Sequence, residues 1–146
     1  MKKTRIIIHA TKTPAGENLS LDDIEDLNSV DRKADPMPYN YIINPGGCTL
    51  KGKNNNELCG HCGKYSRDSL SVAYMDGIDP ETGLPANTMN EKQSNLLVFL
   101  IKQWKNCYPE ARVYGANEIL HPDEPPEDNE PYFDVQAWLK ENGTVM

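Results

Sequence analysis

The chain is expected to fold as a mixed α/β domain, with a central sheet flanked by helices, on three observations. Arg5–His9 is a continuous β-branched run of the kind buried on both faces in the middle of a sheet. Glu91–Tyr108 carries Leu97, Leu100, Ile101 and Trp104 at helical spacing, which makes it an amphipathic helix. Asn44-Pro45-Gly46-Gly47 separates two apolar runs and reads as the turn of a hairpin. Strands separated by helices, with one hairpin among them, require a sheet of mixed direction.

The remaining elements follow in order. Pro14 and Gly16 end the first strand. Ser20 to Asp23 resembles a capping box with Asp in place of Glu, and Leu21, Ile24 and Leu27 form the buried stripe of a short helix that runs out by Val30. Asp35-Pro36-Met37-Pro38 leads stiffly into a strand, Tyr39–Ile43, whose hairpin partner is Cys48–Leu50. Lys51–Glu57 is polar and Asn-rich, hence a loop. Ser69–Met75 has strand character and closes at Asp76-Gly77, before a turn at Asp79–Gly83. Asn90 can cap the long helix with Gln93 reaching back, and Pro109 stops it. Arg112–Tyr114 is a strand ending at Gly115, followed by a proline-rich acidic loop. Asp134 then caps a last helix, Val135–Asn142, with Trp138 and Leu139 inward. No repeat or linker interrupts this order, so residues 1–146 read as one domain.

Composition excludes some partners. Twenty-two acidic against 15 basic residues give a net charge of −7. Polyanions are held by clustered Lys and Arg, so neither nucleic acid nor an anionic membrane surface is expected as a partner. The run Ile6–Ile8 after Lys2 and Lys3 is too short for a secretory core of about seven to fifteen apolar residues, which points to a protein kept in the cytoplasm or delivered outward by a separate route. No window approaches the roughly 18 apolar residues of a membrane span. Cys59-Gly60-His61-Cys62 has metal-clip or redox spacing, but Cys48 and Cys107 stand alone and supply no second pair, so reduced thiols are expected.

Several segments, in order, resemble the zinc-dependent N-acetylmuramoyl-L-alanine amidases, a family that includes phage endolysins and the peptidoglycan recognition proteins. These are the strand ending at His9, Pro38–Ile43, Gly60–Lys64 with Asp68–Val72, Asp76–Asp79, Tyr108–Val113, and Pro131-x-Phe133-Asp134. The resemblance spans nearly the whole chain and implies the family's α/β sandwich. It also implies a metal site, whose first ligand position falls on His9, second on Ala116 and third on Glu130. Such an enzyme needs three protein ligands and one open position, where the metal lowers the pKa of its water to about 7. Ala116 supplies no donor. His121 is the other candidate, and zinc is expected only if His9 and Glu130 make an atypical site completed by His121 or Asp128.

The resemblance places Tyr39 over the metal-bound water, as a catalytic residue if the protein is active. The position of an oxyanion-stabilising lysine falls on Asp128, where a carboxylate opposes negative charge in the transition state. The expectation is therefore an amidase-fold protein that has lost its zinc site, takes no cofactor, and keeps a groove lined by His9, Tyr39, His61, Asn117, Asp128 and Glu130. The implied ligand is a muropeptide or, for a phage protein acting in the host cytoplasm, a host signalling molecule held without being cut. An active peptidoglycan amidase is the alternative, and a protein partner stays open.

Overall fold

The computed structural model describes residues 3–14, 16–28, 37–54, 68–119, 122–123, 125 and 129–143. In chain order the elements are β1 (Arg5–Ala10), β2 (Thr13–Pro14), α1 (Leu21–Asn28), β3 (Tyr41–Ile43), β4 (Thr49–Lys51) and β5 (Ser69–Tyr74), then β6 (Gly77–Ile78), α2 (Glu91–Cys107), β7 (Arg112–Gly115), α3 (Ala116–Ile119) and α4 (Val135–Glu141). A five-stranded sheet has the order β4-β3-β5-β1-β7. Only the β3–β4 hairpin is antiparallel; β1 pairs in parallel with β5 and β7, and β3 with β5. The β-branched run of β1 thus lies between two neighbours, with Ile7 aligned to Ser71 on one side and Tyr114 on the other.

Alternation along the strands divides the apolar residues between two faces. Ile6, Ile8 and Ala10 of β1 and Leu70, Val72 and Tyr74 of β5 join Leu97, Ile101 and Trp104 of α2 and Val135, Trp138 and Leu139 of α4 in one core. Ala73 and the following Met75 face the other way, with Ile42, and pack on Ile24 of α1, Met37 and Tyr39. Helices therefore cover both faces, as the pattern predicts. Both tryptophans pack in the first core, as expected of them, and Tyr41 lies against Trp104 with ring centroids 5.3 Å apart.

The two capping boxes are realised. Ser20 N and Asp23 N exchange hydrogen bonds with each other's side chains at 3.0 and 3.1 Å. Asn90 Oδ1 accepts from Gln93 N at 2.8 Å, while Gln93 Oε1 accepts from Asn90 N at 3.0 Å. Gln93, fully buried, also donates through Nε2 to the carbonyls of Ile43 and Met75, which ties the start of α2 to the ends of β3 and β5.

Three features differ from the sequence pattern. The first strand breaks at Lys12, which adopts φ +62°, and resumes as β2 in a two-stranded parallel sheet with β6. β3 begins at Tyr41 because Asn40 uses its side-chain Oδ1, in place of a backbone carbonyl, to accept from Ser71 N at 2.8 Å. After Gly115 the chain turns into α3; Glu118 Oε2 accepts from Gly115 N at 2.6 Å, a first-turn acid reaching back to the helix start. Any side chain at Gly115 would collide with Asn117 Oδ1 and Val135 Cγ2. Among the described residues, no helix is long and apolar enough to cross a membrane. Cys48 and Cys107 are free and exposed; Cys59 and Cys62 lie outside the described residues.

Candidate functional site

The carboxyl ends of parallel strands are where open α/β sheets place their sites, and His9 and Glu130 meet at the end of β1. His9 is the penultimate residue of β1 and is 1% exposed. Its Nδ1 lies 2.6 Å from Glu130 Oε1, and the second oxygen, Oε2, accepts from the backbone N–H of Ala10 at 3.0 Å. A carboxylate only accepts, so His9 donates from Nδ1. The Tyr39 ring lies 5.5 Å from the His9 ring, tilted by 55°. Burial, reinforced by Glu130 and then Tyr132, holds the Tyr39 phenol well above its usual pKa, so it remains an O–H donor.

The segment that carries Glu130 is sewn to the end of the sheet. Tyr132 N donates to Asn129 O at 2.6 Å, Tyr74 Oη donates to Pro131 O at 2.7 Å, and Asn117 Nδ2 donates to Phe133 O at 3.1 Å. Tyr132 has φ +69°, a left-handed conformation, and its ring packs against Gly77, itself at φ +113°. Burial, then the Glu130 carboxylate, raises the Tyr132 pKa, and burial with Asp76 and Glu130 raises that of Tyr74. Three phenols thus stay protonated around one carboxylate.

The structure brings His9, Tyr39 and Glu130 together. Asn117 sits in the first turn of α3, buried, with its amide held by Phe133 O. His61, His121 and Asp128 lie outside the described residues. Sequence reading did not single out Tyr74 or Tyr132. Tyr132 was nonetheless marked by its place inside Pro131-x-Phe133-Asp134; Tyr74 carried no local signal beyond being apolar-facing in β5.

Gly115, aligned with Ile8, ends β7 and Ala116 opens α3; it is buried and its side chain has no metal-binding atom. Among the described residues no group of three His, Cys, Asp or Glu side chains is placed to hold a metal. His9 Nδ1 and Glu130 Oε1 are 2.6 Å apart and bonded to each other, so these two atoms do not stand as separate metal donors. The described residues do not fit the three-ligand zinc site of the amidases.

No family model matches this sequence, and no curated protein matches it significantly. Solved structures do match its fold. The N-acetylmuramoyl-L-alanine amidase LysC from Clostridium intestinale URNW superposes with a TM-score of 0.70 at 14% identity, over 99% of this chain and 87% of that one. The endolysin of Thermus scotoductus MAT2119 bacteriophage Ph2119 gives 0.71 at 19% identity, over 99% and 87%. A Drosophila PGRP-LB mutant in complex with tracheal cytotoxin gives 0.71 at 17%, over 99% and 85%. At these identities the likeness is one of architecture: the chain has the mixed α/β fold of the N-acetylmuramoyl-L-alanine amidases and peptidoglycan recognition proteins.

Proposed function

We propose that this protein binds a peptidoglycan fragment, a muropeptide, at the carboxyl end of its sheet and does not cleave it. The observation that carries the reading is the contact of 2.6 Å between His9 Nδ1 and Glu130 Oε1: two groups bonded to each other, with an alanine at the position where the resemblance puts the second ligand, offer no three-donor site for a catalytic metal. Support for the ligand class comes from PGRP-LB, a protein of the same fold solved with tracheal cytotoxin. The chemistry of the site agrees. A carboxylate with further lone pairs, and phenols kept protonated by burial, suit a ligand rich in amide N–H groups and carbonyls.

Calorimetry against a muropeptide panel and a panel of nucleotide signals tests this, with peptide release from peptidoglycan followed in parallel. Binding to a muropeptide without release is expected, and Tyr39→Phe and His61→Ala should each weaken it roughly tenfold, about 1.4 kcal/mol. Release of the L-alanine-bearing peptide by the parent protein would show an amidase. Binding confined to nucleotides, or absent from both panels, would remove the muropeptide reading.

A further inference from the structure

We infer that Glu130 is a positioning residue: its carboxylate fastens the 129–133 segment to the carboxyl end of β1 and closes the fold there without any metal. Glu130 and His9 are 121 residues apart in sequence, and both oxygens of one carboxylate are engaged by consecutive residues of β1, His9 Nδ1 and Ala10 N. The next anchors follow immediately, Pro131 O on Tyr74 and Phe133 O on Asn117. Between them stands Tyr132 at φ +69°. A residue with a side chain keeps that conformation only where its surroundings over-determine it. The anchors at 130, 131 and 133 do so, and the Tyr132 ring fills the space over Gly77. Because Glu130 is 13% exposed against 1% for His9, the pair is largely withdrawn from water. Removing one member therefore strands the other in a buried setting.

The test is thermal unfolding of the full chain, with chelator and with added zinc, for the parent, His9→Ala, Glu130→Ala and the double variant. The parent melting temperature is expected to be the same in chelator and in zinc. Glu130→Ala should lower it by roughly 10 °C, the shift that loss of one partner of a buried pair produces in a chain of this size. The double variant should melt no lower than the worse single variant. Single losses that simply add, or a parent stabilised by zinc in a His9-dependent way, would overturn the inference. Glu130→Asp keeps the charge but is one methylene too short to reach both partners, so it serves if the alanine variants do not fold. In it the Ala10 amide should exchange with deuterium at least tenfold faster than in the parent, and unchanged exchange would also overturn the inference. None of these readouts involves a muropeptide, so failure of groove binding and failure of the clamp are separate results.

Discussion

Asp76 shows what burial does to a single ionisable group. It is 2% exposed, and desolvation raises its carboxyl pKa above the ordinary 3.8, against hydrogen bonds from Thr88 and the Gly77 N–H that pull it down. The sign of the consequence follows from proton counting. In the window above 3.8 the unfolded chain has already released the proton that the folded chain still holds. The folded state then binds more protons, so this group's contribution to stability falls as pH rises through the window. Asp76→Asn cannot titrate. Its stability relative to the parent, measured by urea unfolding, should therefore improve as pH rises above about 4 and level off once the folded carboxyl has lost its proton. A pH-independent difference between the two would refute the assignment. Asp76 was read in the sequence as a strand end and as part of a resembling segment; its burial depends on Thr88 and on the β2–β6 pairing, which no local pattern shows.

Elements differ in how much of their stability is local. In α2, Leu97, Ile101 and Trp104 are buried, at roughly 1.5–3 kcal/mol each, while the Asn90 cap contributes about 1 kcal/mol. Burial decides that the helix forms and the cap decides where it starts. Asn90→Ala should cost about 1 kcal/mol in urea unfolding. Gln93→Ala should cost more, because it removes the other half of the cap and also the donor to the Ile43 and Met75 carbonyls. Equal losses would show that the buried amide contributes nothing beyond the cap. α2, α4 and β1 were legible in the sequence for the same reason: periodicity, caps and β-branching lie within each segment. β2, β6 and α3 were not, being two to four residues long and held by partners distant in sequence. Gly115 was read as a strand stop, which is correct, but the turn of helix after it depends on Glu118 reaching back.

For the whole molecule, the ordered resemblance of many weak segments was worth more than any one of them, and it located the fold, the end of β1 and the Pro131-x-Phe133-Asp134 segment. It placed His9 and Glu130 in one site; that they bond to each other is a property of distance, which sequence order does not contain. The same correspondence predicts a gain of function. Ala116→His with Glu130→Cys gives two nitrogens and a thiolate at the end of β1 and β7, a donor set suited to zinc at bonds of about 2.0–2.3 Å. This double variant should retain about one zinc per chain through dialysis where the parent retains none. If it folds and binds zinc no better than the parent, Ala116 does not occupy the second ligand position.

The strand order β4-β3-β5-β1-β7 has a consequence for synthesis. β1 leaves the ribosome first, yet its neighbours are β5, which starts at Ser69, and β7, which starts at Arg112. At roughly 5–20 residues per second, Ile6–Ile8 waits on the order of 5–20 seconds for its second neighbour. An apolar, β-branched segment exposed for that long is a target for wrong partners, so the nascent chain is at its most aggregation-prone before β7 has been made.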